Sequence, residues 1–168
     1  MPKSRRKRVT ALFRSTKYKA TDTEMNFDYP TVRFKCVKCG ICCGDTTEKT
    51  RHILLLTEEA EKIADATKQP VTRFAAKIED KAPYAFEMKK TEKDGKCVFL
   101  ADNRCTIYPL RPLICRFYPF ELKPDAARKH RFFCTDECPG VNKGKQLDEE
   151  YFRRLFQLAC ERLGSEKR

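Results

Sequence analysis

Four thiols lie within eight residues in Phe34-Lys-Cys36-Val-Lys-Cys39-Gly40-Ile-Cys42-Cys43-Gly44. A Cys-x2-Cys turn places two sulfurs on one side of the backbone, where they can share an ion. Glycine at 40 and 44 permits the tight or left-handed backbone that such a turn needs. Thiolates select zinc, copper(I) or iron–sulfur clusters over oxygen-loving ions. A second set follows downstream: Cys97, Cys105, Cys115, Cys134 and Cys138. The spacing Cys36-x2-Cys39-x2-Cys42 matches the first three ligands of a bacterial ferredoxin run, whose fourth cysteine precedes proline. Cys134-Thr-Asp-Glu-Cys138-Pro139 carries that ending, displaced along the chain. The shared-site expectation is therefore that both sets converge in the fold.

Disulfides are the competing use of ten cysteines in 168 residues. No apolar run long enough for a secretory signal follows the basic start, and the longest aliphatic run, Ile53–Leu56, is too short to span a membrane. The thiols are therefore expected to stay reduced, in the cytoplasm. Cys39-Gly-Ile-Cys42 also has the spacing of a thioredoxin-type redox pair, but no βαβ pattern surrounds it. Cys160, near the apolar stripe of the last helix, reads as a small buried packing thiol rather than a ligand.

The net charge of +12 is uneven, because residues 1–20 hold eight Lys and Arg and no acid. Residues 1–25 read as a basic, flexible arm, and 26–168 as the cysteine-cluster domain with its C-terminal helix. The arm can touch nucleic acid or an acidic protein, or serve only as a solvated tail.

The domain reads as α+β, small and loop-rich, with short strands. Ile53–Leu56 suits a strand. Thr57 is placed to cap a helix carrying Glu58, Glu59 and Glu61 in its first turn, which Pro70 ends. A second helix is expected over Thr72–Glu79. Alternation of Tyr84, Phe86 and Met88 predicts a strand, and Asp94-Gly95 and Asp102-Asn103 predict turns. Pro109, Pro112 and Pro119 forbid a long helix there. The last helix runs from about Glu149 to Leu163, capped by Asp148 and stopped by Gly164. It buries Tyr151, Phe152, Leu155, Phe156, Ala159 and Leu163, and Leu147 and Phe152 sit at staple spacing.

Among other candidates, His52 and His130 are imidazole ligands in principle, though His130 in Arg128-Lys-His-Arg131 reads better as a solvated basic face. Arg111 and Arg116 flank Cys115. They can offset the charge of a thiolate cluster or hold an anionic ligand, or be ordinary surface arginines.

Cys36-x2-Cys39-Gly40-x-Cys42-Cys43 resembles the signature of the CxxCxxCC family of zinc- or iron-chelating proteins, also called YkgJ-like. The downstream block resembles it too: Cys97-Val-Phe-Leu100, Arg104-Cys105-Thr-Ile-Tyr108, Arg111-Pro112 and Cys115-Arg116-Phe-Tyr-Pro119-Phe120. The resemblance covers about residues 34–140 and implies a small cysteine-cluster domain. A similar domain occurs in flagellin lysine N-methylases, where an iron–sulfur cluster is implied. This chain is much shorter and shows no Gly-rich nucleotide-binding turn, so methyl transfer is not carried over as the main reading.

The leading expectation is metal-cluster binding, iron–sulfur ahead of zinc, through Cys36, Cys39, Cys42 and Cys138. Cys43, Cys97, Cys105, Cys115 and Cys134 complete that site or form a second. Two alternatives stand beside it. One is an enzyme, methyltransferase-related or redox. The other is a structural zinc module that binds RNA or a protein through the arm.

Overall fold

The computed structural model describes residues 27–124 and 130–165. The basic arm expected at 1–25 lies outside them.

The run Ile53–Leu56 organises the interior. All four side chains are buried, because strand β3 (Leu54–Leu55) has packed layers on both faces. Successive strand residues point to opposite sides. Ile53 and Leu55 enter one core with Ile63, Phe74, Met88, Phe99 and Ile107. Leu54 and Leu56 enter a second with Leu113, Phe117, Phe120, Phe132 and Phe152. A continuous apolar run, without the alternation of a half-buried strand, is the signature of burial on both faces.

The first core lies under α1 (Thr57–Thr67) and a three-stranded antiparallel sheet. That sheet is β3, then β5 (Phe86–Met88), then β4 (Ala75–Lys77) at its edge. Here one expectation is overturned. The helix predicted over Thr72–Glu79 stops after one turn as α2 (Val71–Phe74). Ala75, Ala76 and Lys77 instead pair with Met88, Glu87 and Phe86. A non-local ladder has outcompeted local helix propensity.

The second core lies between α3 (Leu113–Phe117), α4 (Glu149–Ser165) and a sheet ordered β1 (Phe27–Asp28), β9 (His130–Cys134), β8 (Phe120–Pro124). β1 runs parallel to β9, and β8 antiparallel to it. In α4 the expected stripe is in place, with Phe152, Leu155, Phe156, Ala159 and Leu163 buried, while Tyr151, expected among them, is only half-buried. Asp148 Oδ1 accepts from the Tyr151 N–H at 2.9 Å, the predicted cap. Gly164, expected to stop the helix, lies inside its last turn.

Thr57 is the first helical residue of α1 rather than its cap; Leu56 occupies the cap position. The Leu56 N–H is satisfied by Glu59, whose Oε2 accepts it at 3.1 Å, while Oε1 accepts the Leu113 N–H at 2.6 Å. One buried carboxylate thus ties the start of α1 to the start of α3. Its burial raises its pKa above the ordinary glutamate range, against the pull of these two amides and of Arg162 and Arg116. Glu59→Gln keeps one acceptor oxygen and turns its amide nitrogen toward a backbone N–H. It is expected to cost about 1–3 kcal/mol, the penalty for a buried unsatisfied donor, measured by chemical denaturation. A folded pKa above the unfolded one makes native stability fall as pH rises from the ordinary glutamate range through the raised value. The variant should lack that slope, and an unchanged midpoint would show that the two amides find other acceptors.

Candidate metal centre

The segment 36–43 is held from both ends. On its N-terminal side, β2 (Arg33–Phe34) pairs with β10 (Val141–Gln146), and the Lys35 N–H donates to Gly140 O at 3.1 Å. This seats Cys36 beside the Cys138-Pro139-Gly140 turn. Gly40 then adopts φ 72°, a left-handed geometry that costs glycine nothing. A 3₁₀ turn, Ile41–Cys43, follows, closed by the Cys43 N–H on Gly40 O at 3.0 Å.

On the C-terminal side, Gly44 bridges to Lys96. A Cβ there would lie 2.6 Å from Gly95 O and 2.9 Å from Lys96 Cα, so no larger residue allows the approach. The Cys97 N–H donates to Cys43 O at 2.6 Å. Cys105 returns on a hairpin of β6 (Leu100–Ala101) and β7 (Arg104–Cys105). Its two turn residues, Asp102 and Asn103, have φ of 50° and 58°, as a type I′ hairpin requires. Cys115 sits in α3, which the flanking prolines keep to five residues. Cys134 ends β9, and the Thr135 N–H donates to Pro119 O at 2.9 Å.

The thiols sense one another. Cys42 and Cys43 are in contact, Sγ to Sγ 3.7 Å. That hydrogen bond, then burial, then the charge of Cys43 push Cys42 far above the ordinary thiol range, with Arg51 opposing. Burial pushes Cys97 up to about 11, with Cys105 and Cys42 adding repulsion. Burial also raises Cys115, helped by Cys97, Cys42 and Cys105, and raises Cys105, helped by Cys42; Arg111 opposes both. Cys138 is raised by burial and then by Cys39 and Cys42, and Cys134 by burial and then by Cys138 and Asp136. Cys42 thus touches Cys43 and interacts electrostatically with Cys97, Cys105, Cys115 and Cys138. The two cysteine blocks adjoin along the backbone, at Cys43 and Cys97 and at Lys35 and Gly140. Cys36 is exposed at the margin. Cys160 packs on the second core as a partly buried thiol.

Two side chains not singled out as site residues by the sequence complete the surroundings. Arg51 lies over the Tyr118 ring, 4.9 Å to its centroid, and pairs with Glu137, which also holds Lys49 at 2.6 Å. Its backbone is tied down by Asp45 and Lys90, the N–H donating to Asp45 Oδ1 at 2.8 Å and the carbonyl accepting from Lys90 Nζ at 2.9 Å. Arg51 Nε and the Tyr118 hydroxyl are both buried without a hydrogen-bond partner. Both act electrostatically with Cys42, Arg51 lowering its pKa and Tyr118 being raised by it after burial. Orphaned buried donors beside a set of soft ligands fit a group that brings acceptor atoms and positive charge, as a metal–thiolate cluster does. Among the described residues, no three or more Cys, His, Asp or Glu side chains already stand together as a group able to hold a metal ion.

The histidines are engaged elsewhere. His52 Nδ1 meets Glu87 Oε1 at 2.6 Å, with Lys81 on the other oxygen. His130 is not a solvated face: it is half-buried in β9, its ring edge-on to Phe156 at 5.2 Å between centroids. Arg111 stacks on the Tyr108 ring at 3.7 Å, and Arg116 donates to two backbone carbonyls, so neither is an ordinary surface arginine.

Among the described residues no helix is long and apolar enough to cross a membrane. A curated relative is an uncharacterized protein of Methanocaldococcus jannaschii, 30% identical over 145 residues, covering 81% of this chain and 73% of that protein. No solved structure matches the chain. Residues 35–139, the span that holds all nine clustered thiols, match the family described as "Putative zinc- or iron-chelating domain". The chain belongs to this CxxCxxCC family.

Proposed function

We propose that the protein carries an iron–sulfur cluster, rather than a lone structural zinc ion, on its cysteine thiolates and works in the reducing cytoplasm. The observation that carries this reading is the placement of partly buried thiols: Cys42 Sγ lies 3.7 Å from Cys43 Sγ, and the Cys97 N–H of the downstream block donates to Cys43 O at 2.6 Å. Such thiols stay protonated until a cation compensates their charge, so metal uptake there releases protons and adds to folding free energy. Nine clustered cysteines exceed what one tetrahedral zinc site uses. The ferredoxin-like spacing favours Cys36, Cys39, Cys42 and Cys138 as first ligands, with Cys43, Cys97, Cys105, Cys115 and Cys134 completing the site or holding a second group. When bound, an iron–sulfur cluster supplies one-electron redox chemistry. The chain's own residues bury the thiols, and Arg51 and Tyr118 offer donors toward them.

Anaerobic purification followed by an absorption spectrum and iron, sulfide and zinc analysis tests the assignment. Brown protein with iron and acid-labile sulfide is expected. Colourless protein with zinc alone would overturn the iron–sulfur assignment and leave the thiolate site. Protein that takes up neither metal would overturn both.

A further inference from the structure

Across α3 from the thiols, a cleft of about 140 Å³ opens between α1, the 3₁₀ turn Tyr108–Leu110, α3 and α4. Its polar lining is Lys62, Arg111, Arg116 and Arg162, with Glu59 as the sole carboxylate. We propose that this cleft is a binding site for a small phosphate-bearing anion, inorganic phosphate or a phosphomonoester.

Charge sets the class of ligand. Four cations face one small volume, and among the described residues the carboxylates set against them are Glu59 in the lining and Glu58, which pairs with Lys62 and Arg162. Counting both acids against the four cations leaves an excess of two positive charges. A phosphate monoester carries roughly −1.5 to −2 near neutral pH, whereas a simple carboxylate carries half that. Glu59 cannot supply the missing acceptors, because both its oxygens already accept backbone N–H groups.

Geometry points the same way. Arg116 is held in place by Nε on Arg111 O at 2.9 Å and Nη2 on Pro109 O at 2.6 Å. Arg111 is flattened on the Tyr108 ring, and its Nε is buried without a partner. Fixed guanidinium forks lose little freedom when an oxyanion arrives and match phosphate oxygens in pairs. The volume suits a small ligand. A cavity of roughly 150 Å³ holds a molecule the size of benzene, while drug-sized ligands occupy roughly 300 Å³ or more.

The test uses the full chain as purified and reads phosphate, so it does not depend on which metal the thiols hold. Calorimetric titration with inorganic phosphate at constant ionic strength should give saturable binding, and sodium acetate under the same conditions should not. Methyl phosphate separates the two sources. Binding equal to that of inorganic phosphate assigns a monoester, and binding of the free ion alone assigns inorganic phosphate. Arg162→Gln should weaken phosphate binding about tenfold, the size of one lost charge-assisted hydrogen bond, while Lys123→Gln, outside the cleft, should not change it. Lys62→Gln gives a second variant at an exposed position should Arg162→Gln fold poorly. Absence of saturable phosphate binding, equal binding of acetate, or equal weakening by Arg162→Gln and Lys123→Gln would overturn the site.

Discussion

Cys42→Ser, purified anaerobically, is expected to lose most of its bound metal and to unfold on the order of 3 kcal/mol more easily, or worse, because ligand loss removes the folding free energy linked to metal binding. Cys42 is chosen because its sulfur touches that of Cys43 and because it stands in the ferredoxin-like spacing with Cys36 and Cys39. Serine preserves the size of the side chain but is a poor ligand for soft metals. Cys160→Ala is the matched control. Its thiol packs beside the second core, so it should keep full metal content at a cost of about 1 kcal/mol, the size of an ordinary point substitution. Metal analysis and a thermal melt on both variants decide the matter. Equal metal in Cys42→Ser and the parent protein would remove Cys42 from the ligand set. Metal loss confined to Cys160→Ala would mean that the packing and binding thiols were assigned the wrong way round.

The second large effect is structural. Phe152 is fully buried and is the ring through which α4 grips its sheet. It lies 5.1 Å from Phe120 in β8, 5.0 Å from Phe132 in β9 and 5.1 Å from the Tyr29 ring, centroid to centroid. Phe152→Ala removes these contacts and leaves a cavity in the second core. The expected loss is about 3–5 kcal/mol. In a chain of this length that lowers the melting midpoint by roughly 10 °C. Because α4 lies outside the family-matched span, a shift of only a degree or two would show that the helix is an appendage rather than a wall of the core. The same variant should retain its capacity for metal under conditions where it is folded, as no clustered thiol sits on α4.

Local chemistry was legible along the chain wherever a signal and its consequence lie within a few residues. The acidic first turn of α1, the cap and apolar stripe of α4, and the proline limit on α3 are of this kind. So is the Asp102-Asn103 turn, which the hairpin realises with both residues left-handed. The cysteine spacing likewise identified the family and the thiols to watch. Where a partner arrives from far away in sequence, local reading gave out. Residues 75–77 look helical by themselves, yet β5 offers them a ladder. His130 looks solvated among basic neighbours, yet Phe156 covers it. Gly164 looks like a stop, yet the helix carries through it.

The site divides in the same way. Which side chains can ligate a soft metal follows from residue type and spacing, because thiolate chemistry belongs to the residue. Which of them meet is a tertiary matter: it depends on Gly44 lying against Gly95 and Lys96, on the β2–β10 pairing beside Cys138, and on α3 carrying Cys115 inward. Arg51 and Tyr118 are 67 residues apart in the chain by their numbers, and nothing local pairs them. Only packing buries their unpartnered donors, and only packing gathers Lys62, Arg111, Arg116 and Arg162 around one cleft. The physical reason is range. Propensity, capping and ligand softness are properties of a residue and its near neighbours, whereas burial and electrostatic repulsion depend on distances that the chain acquires only when its two cores close around Ile53–Leu56.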